Sequence, residues 1–201
     1  DLRQAFALPV KHLSAYALSI EEGAPLWQMV RQKKIEETDE ETERAMYERL
    51  IDTAEAQGFE HYELSNFALP GFRSRHNSSY WHDVPYLGLG PGAHSYDGAA
   101  RYANRPDLNA YLAAPEKCLV KECLSDDERF NDYVFTALRT ADGLPLDCLA
   151  ERFGEAAKNN LLRTAKSRLA AGFLELCGNR LKLTRKALFV SDDIISDLML
   201  V

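Results

Sequence analysis

A histidine-rich and aromatic segment at residues 72–97 is the part of the sequence best suited to chemistry. It contains three of the five histidines, His76, His82 and His94. Histidine is both a common neutral metal ligand and a proton carrier near neutral pH. The same segment carries the flat side chains of Tyr80, Trp81, Tyr86 and Tyr96. Flat rings give contact area to a flat ligand, so this composition suits a planar metal macrocycle.

Three glycines alternate within this segment, at Gly88, Gly90 and Gly92. Glycine at every second position allows a backbone to approach something closely or to take a positive φ. The spacing is not the dinucleotide fingerprint, which needs a different spacing and the start of a helix after it. The structural alternative is a strand that needs small residues for close packing.

The preceding elements predict where the segment lies. Residues 12–20 alternate with apolar side chains on both faces, which predicts a central strand covered on both sides. A capping box at 38–41 and an apolar face predict a helix over 39–57, and residues 59–67 predict the next strand. A strand–helix–strand unit implies parallel pairing. Ligands of such sheets gather where the strands end, which is where residues 72–97 begin.

The C-terminal third has a different organisation. Residues 115–124 are expected to be a linker. A capping box at Ser125–Glu128 predicts a helix to about residue 141, and shorter patterns predict helices over 147–153 and 156–171, a hairpin turning at Gly178-Asn179, and a last helix. Three helices, a hairpin and a helix form the order of a winged-helix domain.

Composition limits the classes of protein that remain. The chain has 201 residues, of which 46% are hydrophobic, and a net charge of −7. It contains no apolar stretch long enough to span a bilayer and no signal peptide, so a cytoplasmic location is expected. The four cysteines, Cys118, Cys123, Cys148 and Cys177, are scattered and predict free thiols rather than a disulfide framework.

Two motifs in the histidine-rich segment resemble a known family. H-N-S-S-Y-W at 76–81 fits an H-N-x-x-Y-W pattern, and Y-L-G-L-G-P-G-A-H-S-Y at 86–96 fits the glycine-rich segment that follows it. Together they resemble the radical-SAM haem chaperones, which are close relatives of the oxygen-independent coproporphyrinogen III oxidases. The first motif favours the chaperone branch. The resemblance continues at 12–26, at 61–68 and from about residue 125, so it covers essentially the whole chain.

The resemblance implies a fold. It predicts an α/β chain in which residues 1–120 form the C-terminal part of a radical-SAM β/α barrel and residues 121–201 form a small winged-helix-like α+β domain. The C-x-x-x-C-x-x-C motif that binds the family's [4Fe–4S] cluster is missing from this sequence. The chain therefore looks like the C-terminal half of a family protein. The cluster and SAM are expected in the full-length parent, and this part alone is expected to be inactive.

The resemblance also implies roles for individual residues. His76 is the expected ligand of haem iron, Asn77 orients its ring or caps a turn, and Tyr80 and Trp81 contact the macrocycle. The glycines Gly88, Gly90 and Gly92, with His94, are expected to line the SAM and porphyrin cavity, and Tyr16 is expected near the adenosine of SAM. His82 stands outside the motif as a second candidate ligand. Arg101 and Arg105 are candidates for pairing with haem propionates, with structural ion pairs as the alternative.

Three functions follow as hypotheses. The first is haem binding for delivery to an apoprotein. The second is catalysis as a coproporphyrinogen III oxidase that decarboxylates propionates. The third is a nucleic-acid-binding module, because residues 156–190 contain eight basic side chains against only Glu175. The third is disfavoured, since the basic residues of the long helix do not share one face. An exposed sheet edge makes a homodimer a further expectation.

Overall fold

The computed structural model describes residues 1–200, and these divide into two compact units. The first comprises Asp1–Arg73 and the second begins at Ser74. Among the described residues, no helix is both long enough and apolar enough to cross a membrane.

The first unit contains three helices and one small antiparallel sheet. Its elements are α1 (Leu2–Ala5), β1 (His12–Ser14), α2 (Pro25–Arg31), α3 (Glu40–Ala56), β2 (Glu60–Glu63) and β3 (Asn66–Ala68). The strand order is β1-β3-β2. The apolar face of α3 packs inward through Ile51 and Ala54, which are fully buried together with Phe67. The predicted helix over 39–57 is therefore confirmed.

The start of α3 differs from the expected capping box. The N-cap is Asp39 rather than Thr38. The carboxylate of Asp39 accepts two hydrogen bonds from Thr42, one from the backbone N–H at 2.9 Å and one from the side-chain hydroxyl at 2.7 Å. A carboxylate at this position also interacts favourably with the helix dipole. The helix begins as the sequence predicted, with a different side chain satisfying its first amides.

The predicted parallel pairing is wrong. Residues 59–67 are not one strand but a hairpin, because the chain turns at Leu64-Ser65 between β2 and β3. Strand β1 then pairs antiparallel with β3, not with β2. The predicted strand over 12–20 ends at Ser14, and beyond it Tyr16 and Leu18 are 74% and 71% exposed rather than covered on both sides.

A buried polar pair lies at the turn of this hairpin. Glu63 and Asn66 are both almost fully buried. The amide of Asn66 donates to the Glu63 carboxylate, and its oxygen accepts from the Ser14 hydroxyl. Buried polar side chains need such partners, so these bonds tie β1 to the hairpin in addition to the backbone ladder.

The second unit contains two further three-stranded antiparallel sheets and most of the helices. Its elements are α4 (Arg75–Trp81), β4 (His94–Tyr96), β5 (Ala100–Asn104), α5 (Leu108–Ala113), β6 (Leu119–Cys123), α6 (Asp126–Leu138), β7 (Leu144–Pro145), α7 (Leu146–Phe153), α8 (Glu155–Ala170), β8 (Leu174–Cys177), β9 (Arg180–Leu183) and α9 (Ser191–Asp197). Short 3₁₀ turns lie at Pro115–Lys117 and Arg185–Val190. The sheets have the orders β4-β5-β6 and β7-β9-β8.

The expected linker at 115–124 is ordered structure. Residues 115–117 form a 3₁₀ turn, and β6 pairs antiparallel with the whole of β5. Every residue of β6 is exposed, so no alternation of apolar and polar side chains marks it as a strand in the sequence. Strand β6 is the edge of its sheet, and homodimer formation through such an edge stays a prediction.

The C-terminal elements follow the predicted order closely. Ser125 and Glu128 form the reciprocal capping box at the start of α6. Gly154 has a φ of 89° at the end of α7, and the hairpin β8–β9 turns at Gly178-Asn179. One apolar core joins the helices to the hairpin; its largest fully buried side chains are Phe130, Val134, Leu138, Leu144, Leu149, Leu161, Leu181, Ile194 and Ile195. The helices and strands occur in the predicted order, and the assignment of a winged-helix domain stays a prediction.

Truncation of one core leucine tests this packing. Leu149 is fully buried in α7, so Leu149→Ala should lower the free energy of unfolding by about 2–5 kcal/mol through lost burial and a cavity. The matched control is Leu176→Ala, because Leu176 lies on β8 and is 53% exposed. Urea denaturation should place the control within about 0.5 kcal/mol of wild type. Equal losses for the two variants would contradict the described core.

The turn between β4 and β5 is organised by one carboxylate. Asp97 accepts from the hydroxyl of Tyr102 at 2.7 Å and from the backbone N–H groups of Ala99 and Ala100 at 2.9 and 2.8 Å. These bonds favour the charged form, so Tyr102 first and the two amides next lower the pKa of Asp97 to about 2.

This pKa predicts an acid-dependent loss of stability. Because the pKa of Asp97 is lower in the folded than in the unfolded chain, its stabilising contribution is complete above about pH 4 and is lost as the pH falls towards about 2. Asp97→Asn removes that contribution. The thermal midpoint of wild type should therefore fall more steeply between pH 4 and pH 2 than that of the variant. Parallel curves would show that the carboxylate does not hold the turn.

Candidate ligand-binding site

The H-N-x-x-Y-W motif forms a short helix rather than an extended loop. Helix α4 spans Arg75–Trp81, and the side chain of its N-cap, Ser74, accepts from the backbone N–H of Asn77 at 3.2 Å. The sequence pattern predicted no helix within residues 72–97, so α4 was missed. The helix has only seven residues and no buried side chain, so it lacks the apolar period that identifies a helix in a sequence.

The helix brings His76 and Tyr80 together. Residues four apart lie on the same face of a helix, and the Tyr80 hydroxyl lies 3.0 Å from Nε2 of His76. The two rings meet edge to face with their centroids 5.0 Å apart. Both side chains are exposed. A metal that binds Nε2 of His76 would take the place of the Tyr80 hydroxyl, whereas one that binds Nδ1 would leave this contact intact.

Two further tyrosines continue this contact into one aromatic row, made of His76, Tyr80, Tyr86 and Tyr96. Tyr80 packs edge to face on Tyr86 with centroids 4.7 Å apart, and Tyr86 lies 6.3 Å from Tyr96. Backbone hydrogen bonds of 2.9 Å in both directions join Tyr86 to Tyr96. Burial is the first cause that raises the pKa of both Tyr86 and Tyr96. Tyr86 and Tyr96 are therefore neutral phenols at physiological pH.

The alternating glycines show both predicted properties, a close approach of backbone and a positive φ. The neighbour that approaches is the protein's own backbone. A Cβ on Gly88 would lie 2.1 Å from the carbonyl oxygen of His94, so only glycine fits there. Gly90 and Gly92 have φ values of 105° and 72°, a region that disfavours other residues. The N–H of Gly88 donates to the Ser95 hydroxyl at 2.9 Å. The glycine segment is thus held directly against β4.

A cavity of about 460 Å³ opens beside the aromatic row. Its lining is mainly aromatic and aliphatic and consists of Tyr86, Leu87, Gly88, Leu89, Ser95, Tyr96, Asp97, Tyr102, Asn104, Tyr111, Pro115, Glu116 and Leu119. The volume is in the range of about 300–1,000 Å³ that is typical of small-molecule sites. Leu87 and Leu89 are 78% and 79% exposed, so the apolar rim of the cavity faces outward.

Polar contacts fix one wall of the cavity. The N–H of Gly90 donates to the Tyr111 hydroxyl at 3.2 Å, and the side-chain amide of Asn104 donates to the Gly90 carbonyl at 3.0 Å. Sequence reasoning missed Tyr111, Asn104 and Tyr102 as site residues. Asn104 is nearly buried at the end of β5, but no local pattern connects it or Tyr111 with a glycine segment 14 to 21 residues earlier.

Other predicted residues lie outside the cavity lining. The cavity is not lined by His76, Asn77, Tyr80, Trp81, Gly90, Gly92 or His94, and the side chain of His94 is exposed. His82 follows α4, and its Nδ1 lies 2.6 Å from the carbonyl oxygen of Ser78. Tyr16 belongs to the first unit, where it is exposed.

The arginine candidates for propionate binding differ from each other. Arg101 forms ion pairs with Asp132 and, at 3.7 Å, with Glu122. These neighbours raise the pKa of its guanidinium even though burial acts in the opposite direction. Arg105, at the end of β5, is exposed. Of the two, Arg101 is therefore the one that takes part in structural ion pairs.

Several basic side chains of the long helix α8 also have local partners. Lys158 pairs with Glu155 at 2.7 Å, and Arg168 pairs with Asp197 at 2.6 Å. A nucleic acid would compete with these carboxylates for the same side chains. The nucleic-acid alternative stays a prediction. Within residues 1–200 there is also no cluster of three or more histidine, cysteine or acidic side chains able to hold a metal ion.

Comparisons with known proteins identify the family of the chain. Residues 124–190 match the family described as HemN C-terminal domain. The protein named "Heme chaperone HemW" from Mycobacterium tuberculosis is 34% identical over 194 residues, covering 94% of this chain and 48% of the relative. The protein of the same name from Lactococcus lactis is 34% identical over 155 residues, covering 76% of this chain and 41% of the relative.

A solved structure shows the same fold. The coproporphyrinogen III oxidase HemN of Escherichia coli, described as a radical SAM enzyme, superposes with a TM-score of 0.70 at 16% identity, over 98% of this chain and 50% of that one. The chain thus spans about half the length, or less, of the proteins that it matches. It belongs with the HemW/HemN-like radical-SAM proteins, and its α/β fold of small sheets and helices matches their C-terminal region.

Proposed function

We propose that this chain is the haem-binding C-terminal region of a radical-SAM haem chaperone, which takes up haem and passes it to an apoprotein. The observation that carries the proposal is the aromatic row. Its exposed histidine contacts the first of three tyrosines that lie in sequence, and the last two of these line a cavity of about 460 Å³. The 34% identity to proteins named as haem chaperones supports it. A cytoplasmic setting is part of the same proposal.

The row has the chemistry that a tetrapyrrole requires. The imidazole of His76 is a ligand for haem iron, and the tyrosine faces with Leu87 and Leu89 offer apolar contact to the macrocycle. The phenols of Tyr86 and Tyr96 remain protonated, because burial raises the pKa of each. They therefore bring no negative charge against the porphyrin. Arg105, which follows the cavity residue Asn104, is our candidate for a propionate partner.

The exposure of the site fits a transfer role. His76 and Tyr80 are exposed, and the leucines at the cavity rim are among the most exposed large apolar side chains of the described residues. Exposed apolar surface of this kind marks a binding site. A carrier must release its cargo to a second protein, and a ligand at an open site can be reached by an acceptor. Asn77 and Trp81, which flank these residues on α4, are proposed as neighbours of the ligand.

The alternative is a coproporphyrinogen III oxidase, and the fold shared with the Escherichia coli HemN structure favours it. Gly92, His94 and Tyr16 keep their proposed places near porphyrin or SAM in that case. SAM and a [4Fe–4S] cluster would supply radical chemistry in a full-length protein. The four cysteines of this chain are free and scattered, with one buried and three exposed, so its residues do not fit the cluster and no catalytic step is assigned to them.

Removal of the imidazole tests haem binding. His76→Ala should raise the apparent Kd for haem at least about tenfold, which corresponds to about 1.4 kcal/mol, and should shift the Soret band. The matched control is His82→Ala, because His82 lies just beyond the other end of α4 and is also exposed. Haem titration followed by absorbance measures both. Identical titrations of wild type and His76→Ala, or a loss confined to His82→Ala, would contradict the assignment.

A methyl group at Gly88 tests the placement of the glycine segment. Gly88→Ala would put a Cβ against the carbonyl oxygen of His94, so the segment must move away from β4. We expect a loss of about 1–3 kcal/mol in the free energy of unfolding, as for overpacked sites, together with weaker haem binding. Unfolding curves and haem titrations measure the two effects. A variant that equals wild type in both would contradict the close approach.

A further inference from the structure

A carboxylate just past the end of α4 connects the candidate site with the C-terminal helices. The side chain of Asp83 is 21% exposed, and its Oδ2 lies 2.6 Å from Nη2 of Arg152 on α7. The same carboxylate also contributes, after burial, to the raised pKa of Tyr96 in the aromatic row. The ion pair thus joins α7 to the residues that directly follow α4.

The backbone at Asp83 is in an unusual conformation. Its φ is 56°, and Lys33 is the other residue besides glycine with a positive φ among the described residues. This conformation is unfavourable for residues with a side chain, although aspartate tolerates it better than most. Such backbone persists where surrounding contacts hold it. Here the ion pair between the Asp83 carboxylate and Arg152 holds the backbone of Asp83 in this conformation.

Arg152 is itself held in place. Its guanidinium lies over the ring of Tyr133 on α6, 4.7 Å from the centroid, an arrangement that arginine favours with aromatic faces. Tyr133 packs against Phe153 next to the core of the C-terminal helices. Asp83 is therefore anchored to the rigid part of the second unit.

We propose that Asp83 and Arg152 are positioning residues that fix the C-terminal end of α4, so that Tyr80 meets Tyr86 and His76 is presented at the outer end of the aromatic row. Through this ion pair the winged-helix-like domain acts on the ligand site without touching the ligand. The identity of the ligand as haem rests on the proposed function. The positioning of α4 does not, and the experiment separates the two.

Tryptophan fluorescence reports the position of α4 without any ligand. Trp81 is the last residue of α4, and Trp27 is the other tryptophan of this sequence. In the full-length protein with Trp27→Phe and any tryptophan outside this sequence replaced, Arg152→Gln and Asp83→Ala should both increase acrylamide quenching of Trp81. Their apparent Kd for haem should rise about 10- to 100-fold, as when an outer partner of a metal ligand is removed. Arg152→Lys, which keeps the charge, should restore most of both properties.

The control is Arg168→Gln, which removes another surface arginine–aspartate pair of 2.6 Å in the same unit, on α8 and away from α4. It should leave Trp81 quenching and haem affinity at wild-type values, with a thermal midpoint like that of Arg152→Gln. Quenching in Arg152→Gln that equals the control would overturn the proposal. So would a thermal midpoint far below that of the control, because it would show a general structural role.

The two proposals fail in different ways. If the wild-type protein gives no Soret change with haem while Arg152→Gln still increases Trp81 quenching, the haem assignment is wrong and the positioning role stands. If haem binds and His76→Ala abolishes binding, but Asp83→Ala and Arg152→Gln change neither quenching nor affinity, the site stands and the positioning role is wrong.

Discussion

The candidate site depends on the backbone pairing between Tyr86 and Tyr96. Two hydrogen bonds of 2.9 Å fold the chain that follows α4 back onto β4. The chain beyond Tyr86 can lie close to β4 only because Gly88 has no side chain, since a Cβ there would collide with the carbonyl of His94. Once Tyr86 is fixed in this way, the ring of Tyr80 packs on it and His76 follows one helical turn earlier.

This constraint gives the site a rigid wall and an open face. The wall is made of β4, the glycine segment and the partly buried phenols of Tyr86 and Tyr96, whose pKa values are raised by burial. The open face carries an exposed imidazole and exposed leucines. A rigid neutral wall suits stacking against a flat ligand, and an open face suits its release.

The C-terminal helices were predictable because local signals mark their ends. The capping box of Ser125 and Glu128 marks the start of α6. Gly154 marks the end of α7, and Gly178 marks the turn of the hairpin. The missed elements lack such signals. The turn at Leu64-Ser65 contains neither glycine nor proline, so two short strands looked like one. Strand β6 is exposed throughout, and the seven residues of α4 bury nothing.

The site was predictable in part for the same reasons. The motif residues and the glycines could be selected from their types, and the conformations of Gly90 and Gly92 follow from glycine's freedom at positive φ. The contact between His76 and Tyr80 could not be predicted, because residues four apart lie next to each other only on a helix. Asn104, Tyr111 and Arg152 come from distant parts of the chain, and only the folded arrangement brings them to the glycine segment and to Asp83.

The central claim is that a tetrapyrrole lies against α4 and the tyrosines behind it. The most direct measurement is a crystal structure of the full-length protein with haem bound. Our account predicts iron within bonding distance of the His76 imidazole and the macrocycle in contact with Tyr80 and the cavity rim. Haem bound through another histidine, or at a surface remote from α4, would contradict it.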